Sequence, residues 1–230
     1  MNSVETSIGK ERDWWETQSL VPFKPCSSMV ISGSTGSGKT TWVYKFLQNL
    51  NGVYTSPPVS VLYCYGIHQD KFDQIERELD IVTFHKGVPT KEEIDEYTST
   101  NTHKLIIMDD LMEEVTQNID MLLLFTQGCH HRKLSVIYIT QNLYQQNKYA
   151  KTISLNTWYL VLFRNLRDAS QIQTLGRQIF PNRSHFLIDA YQDCMKVPFN
   201  YLVIDMSPCG EDRYRLRTRI FPNEDTIIYQ

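Results

Sequence analysis

The stretch Met29 to Trp42, MVISGSTGSGKTTW, constrains this chain more than any other. An apolar run stops at Gly33, and a glycine-rich loop ends in Lys39 and Thr40, matching G-x-x-x-x-G-K-[ST]. A loop that turns its backbone N–H groups into one concavity needs φ values that a Cβ resists, and Gly33, Gly36 and Gly38 remove that obstacle. With Ser34, Thr35, Ser37 and Thr41 they can wrap a phosphate chain. A helix starting near Lys39 points its partial positive end at the same concavity, beside the Lys39 ammonium and a Mg²⁺ held by the Thr40 hydroxyl. The expected ligand is a nucleoside triphosphate, with ATP and Mg²⁺ the expected cofactors. A plain Gly/Ser surface loop is the alternative, but Trp42, Val43, Phe46, Leu47 and Leu50 form one helical face after the loop, as the motif requires.

At 230 residues the chain can bury one α/β core, and it divides into an arm over residues 1–22 and a single domain over residues 23–230. Adjacent Trp14 and Trp15 in the arm could cover a neighbouring subunit or their own domain. The net charge of −3 excludes a coat of basic surface, so contact with DNA would need a local patch or several converging subunits. Five scattered cysteines with no C-x-x-C pair fit an intracellular, reducing compartment. No run approaches the ~20 apolar residues that span a bilayer, and the first residues lack an apolar signal core, so neither membrane insertion nor secretion is expected.

Along the chain, β-rich runs at Val59 to Tyr65, Ile81 to Phe84, Lys104 to Met108, Leu134 to Thr140 and Thr157 to Phe163 alternate with helical patterns. One helix opens on the capping box Thr90-Lys91-Glu92-Glu93, and another lies near Asn118 to Gln127, closed by Gly128. Helices at Asp168 to Gln178 and Asn182 to Cys194 follow, then strands at Tyr201 to Asp205 and Tyr214 to Ile220. The pattern predicts an α/β fold, a mostly parallel sheet with helices on both faces.

Lys104-Leu-Ile-Ile-Met-Asp109-Asp110 is an apolar strand ending in two acids, and ligands of open α/β sheets sit at C-terminal strand ends. Asp109 would hold Mg²⁺, a hard cation that keeps much of its water, and Asp110 would orient or deprotonate the attacking water. The strand Leu134 to Thr140 ends at Gln141, an amide that can donate to a γ-phosphate and accept from water. Before it, Cys129-His130-His131-Arg132-Lys133 admits a metal cluster, a solvated basic turn, or a finger for a neighbour's nucleotide. Arg132 is the candidate finger, because a guanidinium matches the spread charge of a transferring phosphoryl group; Arg164, Arg167 and Arg177 compete with it. Arg213, Arg215, Arg217 and Arg219 alternate with apolar or neutral residues, which at strand period puts four arginines on one face, either to meet a polyanion or to protect a sheet edge. Tyr144 to Lys151 reads as a polar loop that could track phosphates.

On SGSTGSGKTT, LIIMDD, HHRKLSVIYITQN, SLNTWYLVLFRN and LGRQIFP, the chain resembles the FtsK/HerA class of DNA-pumping ATPases. Within that class it resembles the packaging ATPases of poxvirus-type large DNA viruses and Polinton-like elements, over roughly Phe23 to Pro222. The resemblance implies a RecA-like P-loop core with an additional strand between the two motif strands, and a homo-oligomeric ring. It further implies an arginine supplied between subunits, and double-stranded DNA drawn into a preformed capsid with a capsid or portal protein as partner, in host nucleus, cytoplasm or virion. Carried over, it puts Lys39 and Thr40 on phosphate and Mg²⁺, Asp109 and Asp110 on metal and water, Gln141 as sensor and Arg132 as the trans finger. A nucleotide kinase and a slow nucleotide-gated binding module are the alternatives.

Overall fold

The computed structural model describes residues 19–111, 115, 118–125, 132–143, 150–166 and 169–230. Its frame is a nine-stranded sheet in the order β3-β2-β4-β5-β1-β6-β7-β8-β9. In sequence these are β1 Ser28–Ser32, β2 Ser60–Tyr65, β3 Val82–Lys86, β4 Lys104–Asp109, β5 Leu134–Thr140, β6 Tyr159–Phe163, β7 Tyr201–Asp205, β8 Leu216–Thr218 and β9 Ile227–Tyr229. The first six are mutually parallel, and β7, β8 and β9 join antiparallel. Every residue of β1, β5, β6 and β7 is buried, which explains why their sequences are nearly unbroken apolar runs rather than alternating ones.

Alternate residues of these strands feed two separate cores. One face carries Met29, Ile31, Leu105, Ile107, Ile137 and Ile139 against Trp42, Val43, Phe46 and Leu47 of α1 (Lys39–Gln48) and Phe72 and Ile75 of α3 (Asp70–Glu78). A short α2, Leu50–Val53, follows α1. The other face carries Val30, Ile106, Met108, Val136 and Tyr138. Ile94 of α4 (Lys91–Tyr97) and Met121 of α5 (Ile119–Leu123) cover this side. So do Ile153 of α6 (Ala150–Leu155), Leu175 of α7 (Ala169–Ile179) and Leu187 of α8 (Ser184–Cys194). The α/β architecture with both faces covered is the predicted one. The capping box of α4 forms as expected, with Thr90 Oγ1 accepting from Glu93 N at 3.2 Å and Glu93 Oε2 accepting from Thr90 N at 2.7 Å. Ser19 N donates to Gly52 O, and Phe23 bridges to Tyr54, so the segment leading into β1 packs on the residues after α1. Trp14 and Trp15 lie outside the described residues, as do Gln127 and Gly128. Among the described residues no helix is long and apolar enough to cross a membrane.

The arginine stripe is a correction. Asp212–Tyr214 forms a 3₁₀ turn, the strand proper is only Leu216–Thr218, and it lies between β7 and β9 rather than at an edge. The four side chains part company. Arg213 pairs with Glu211 at 2.8 Å on the surface, Arg215 reaches Asp212 and the Asp205 carbonyl, and Arg219 turns left-handed at φ 55°. Arg217 is fully buried, 3.1 Å from the Asp205 carboxylate; its other nitrogen lies 3.5 Å from the Val21 carbonyl, and the guanidinium stands over the Phe23 ring at 5.6 Å. One ion pair therefore clamps β7, β8 and the first packed segment of the chain. Removing one partner of a buried pair strands the other charge, at a cost of about 3 to 5 kcal/mol. We predict that Arg217→Met lowers the urea unfolding free energy by roughly that amount. A loss under about 1 kcal/mol would show that the clamp is dispensable.

Candidate active site

Three adjacent strands, β4, β5 and β1, bring their C-terminal ends to one level. Ser32 pairs with Thr140, and Asp109 with Ile139, so the loop after β1, the acids of β4 and the residue after β5 emerge side by side. At neighbouring-strand spacings of about 4.8 Å, β5 separates the acid strand from the phosphate-loop strand by one position. This is the inserted strand that the resemblance implies. The resulting cleft, about 1150 Å³, is lined by Thr35, Gly36, Gly38, Lys39, Thr40 and Thr41 on one side and by Asp109, Asp110 and Gln141 on another.

The loop has the conformations its glycines were read for: Gly36 stands at φ 75° and Gly38 at φ 101°. Gly38 caps α1 without a side-chain bond, so first-turn N–H groups stay available to a ligand in the cleft. Gly33 is needed for a different reason, since a Cβ there would stand 2.5 Å from the Phe163 Cβ on β6. Gly33, Ser34 and Ser37 are not among the residues lining the cleft. They shape the loop instead: Ser34 Oγ donates to the Arg164 carbonyl at 3.0 Å, and Ser37 N donates back to Ser34 O at 3.2 Å. Lys39 Nζ donates to the carbonyls of Gly33 and Ser34, curling over its own loop. Burial pushes the Lys39 ammonium below its ordinary value, and Asp109 and Asp110 oppose that shift. Anionic phosphate arriving beside it would favour the charged form further.

Asp109 is buried and accepts from the Tyr63 hydroxyl on β2 at 2.8 Å. Burial raises its carboxyl above the usual range; the Tyr63 bond pulls it back, Asp110 adds to the rise, and Lys39 opposes it. Two acids side by side with a buried carboxylate make a site that a cation would relieve. Thr40 Oγ1 now donates to Gln69 Oε1 at 3.1 Å. No group of three or more His, Cys, Asp or Glu able to hold a metal occurs among the described residues. A Mg²⁺ completed by substrate phosphate and water needs only a carboxylate and a hydroxyl of this kind, so the donors fit it.

Gln141 is exposed at the mouth of the cleft, its carbonyl accepting from Asn165 Nδ2 at 3.2 Å. Arg132 precedes the N-terminal end of β5, a seven-residue strand roughly 20 Å long, and pairs with Asp95 of α4 in its own chain. Arg164 and Arg177 are exposed; Arg167, Cys129, His130 and His131 lie outside the described residues, as do Tyr144 to Tyr149 of the polar loop.

The sequence reading passed over Gln69 and Gly66, and, apart from Arg219, which it placed in the arginine stripe, the far wall of the cleft, Val197 to Tyr201 with Phe221 and Asn223 to Asp225. Gly66 ends β2, where its N–H donates to the Asp109 carbonyl at 3.0 Å and an added Cβ would stand 2.5 Å from the Asp110 carbonyl. Asp110 itself holds φ 56°, a left-handed turn that carries its carboxylate off the strand line. A glycine directly after an apolar strand was the available signal. We predict that Gly66→Ala pushes Asp110 aside and lowers kcat for ATP hydrolysis roughly 10- to 100-fold while nucleotide affinity changes much less. Unaltered turnover in a variant that melts normally would mean that the strand-end spacing does not matter.

The family described as Poxvirus A32 protein matches residues 18–164. No curated protein matches the chain. Among solved structures, the chain is similar to the cytoplasmic domain of the Type VII secretion ATPase EccC of Thermomonospora curvata. That likeness has a TM-score of 0.51 at 11% identity, over 90% of this chain and 25% of that one. The cytoplasmic domain of EssC gives 0.47 at 15% identity over 66% of this chain and 34% of that one. A KaiC-like protein from the hyperthermophilic archaeon Pyrococcus horikoshii OT3 gives 0.45 at 12% identity, over 93% and 98%. This chain thus spans about a third of the EssC chain and a quarter of the EccC chain. The family match takes in the strand that leads into the phosphate loop, the strand that ends in the paired acids and the strand inserted between them. The chain belongs to the Poxvirus A32 protein family.

Proposed function

We propose that this protein is an ATP-driven motor that translocates double-stranded DNA, packaging a viral or virus-like genome into a capsid, and that it works as a homo-oligomeric ring. The observation that carries the reading is the convergence of Lys39, Asp109, Asp110 and Gln141 on one cleft while Arg132 stands a strand length away. Membership of the Poxvirus A32 family supports the same reading.

In this reading Lys39 and the N-terminus of α1 bind the β- and γ-phosphates of ATP. Thr40 and Asp109 would hold Mg²⁺, which would neutralise charge on the phosphates. Asp110 positions the attacking water and accepts its proton, and the Gln141 amide reports whether the γ-phosphate is present. Arg132 cannot reach its own chain's nucleotide from the N-terminal end of β5. A neighbour in a ring brings it to a second cleft, where it exchanges Asp95 for phosphate and stabilises the transferring phosphoryl group. Hydrolysis then depends on assembly, and the capsid or portal partner acts on the assembled ring.

Three outcomes test the reading. ATP should be hydrolysed faster in the presence of duplex DNA, releasing inorganic phosphate without phosphorylating any nucleoside; transfer to a nucleoside would instead identify a kinase. Asp110→Asn should retain nucleotide binding and lose hydrolysis, because an amide cannot accept the proton; loss of binding as well would make Asp110 a metal ligand. Arg132→Ala should also bind ATP without hydrolysing it. Mixing that variant with Lys39→Ala should restore part of the activity, because some intact clefts then face an intact arginine. Mixed rings that form yet recover nothing would rule out the trans role.

A further inference from the structure

The cleft extends past the residues that the phosphates use. Its far wall is made by two connections: residues 197–200, between α8 and β7, and residues 219–225, between β8 and β9. Each is fastened to the strand that borders the other. Thr218 Oγ1 donates to Asn200 Oδ1 at 3.0 Å, and Ile220 N donates to the Tyr201 hydroxyl at 3.0 Å. The wall is therefore a fixed surface and not a loose pair of loops.

Phe199 stands out on it. The side chain is 72% exposed, although burying a phenyl is worth on the order of 2 kcal/mol. Its φ of 59° is one that a bulky residue rarely adopts. The ring lies 3.4 Å from where a Cβ on Gly38 would stand, beside the end of the phosphate loop. Arg219, at φ 55°, and Asn223, at φ 66°, line the same cleft. With Asp110, four of the six described non-glycine residues in the left-handed region border this one space. Such conformations persist where the surroundings hold them, and they cluster at ligand sites.

From the phosphate loop the same cleft runs past Thr41 and Lys45 of α1 to this wall, which leaves room there for what is attached to a triphosphate. A flat aromatic ring held open at that distance matches a flat heterocycle, and base stacking on aromatic side chains does not depend on which base is present. We propose that Phe199 is the base-stacking residue of the site: the nucleobase of the bound nucleotide lies against its exposed face, with Arg219 and Asn223 at the rim beside the ribose and the base edge. This rests on the nucleotide reading of the cleft.

The test compares equilibrium binding of ATP and of inorganic tripolyphosphate, each with Mg²⁺, to the wild-type chain, Phe199→Ala and Phe199→Trp. Tripolyphosphate carries the phosphates but nothing to stack. The expected result is that Phe199→Ala weakens ATP binding by about tenfold or more. It should leave tripolyphosphate binding unchanged, and Phe199→Trp should keep ATP affinity near the wild type. Thermal melting confirms that each variant is folded, as the exposure of the side chain leads one to expect. The proposal is overturned if ATP affinity is unchanged in Phe199→Ala, if ATP and tripolyphosphate weaken together, or if Trp does no better than Ala. A wild-type chain that binds neither ligand would overturn the nucleotide reading itself, a result distinct from all of these.

Discussion

The site rests on a crowding of negative charge at one edge of the sheet. Asp109 and Asp110 stand side by side at the end of β4, and Asp109 is buried, which by itself favours protonation. What holds the carboxylate there is local and specific: a hydroxyl from Tyr63 on one side and the Lys39 ammonium on the other. Both come from neighbouring elements whose position is set by strand pairing. Tyr65 of β2 stands opposite Asp109, and β5 spaces the acids from the loop that carries Lys39. The sheet is thus the device that keeps two acids and one base at working distance without letting them collapse into a permanent ion pair.

Helix α1 links that edge to the core. Its inner face stacks Trp42 on Phe46 at 5.1 Å, edge-on to Tyr201 at 5.5 Å and tilted against Phe221 at 5.6 Å. The same aromatic cluster therefore anchors the helix that opens on the glycine-rich loop and the strands that carry the far wall of the cleft. The buried Arg217–Asp205 pair fixes those strands from behind. Disturbance of the antiparallel end of the sheet would reach the cleft through this packing, with no need for a flexible lid.

Much of this was legible in the sequence, for identifiable reasons. The strand leading into the phosphate loop, the LIIMDD strand and the strand ending just before Gln141 are buried almost throughout, so their composition is dictated by the core and their chemistry is confined to the residues at and just past their ends. The C-terminal arginines misled because period two places side chains on one face only while the backbone stays extended. The 3₁₀ turn at Asp212–Tyr214 and the left-handed Arg219 break that condition, and the buried Asp205 captures one of the four. Phe199 carried no local signal at all, since its exposure and its place over Gly38 are consequences of how α8 returns to β7. Gly66 was visible as a letter, but its closeness to Asp110 depends on β2 lying beside β4, a pairing of strands well separated in sequence.

The central claim is that hydrolysis in this cleft moves the protein along duplex DNA. Displacement of a third strand from a DNA triplex tests it most directly, because a motor running along the duplex strips that strand while a stationary ATPase leaves it in place. The account predicts displacement that requires ATP and Mg²⁺, ceases with a non-hydrolysable analogue, and is absent in a chain whose Asp110 carboxylate has been replaced by an amide. Brisk ATP hydrolysis on the same triplex with the third strand fully retained would contradict it.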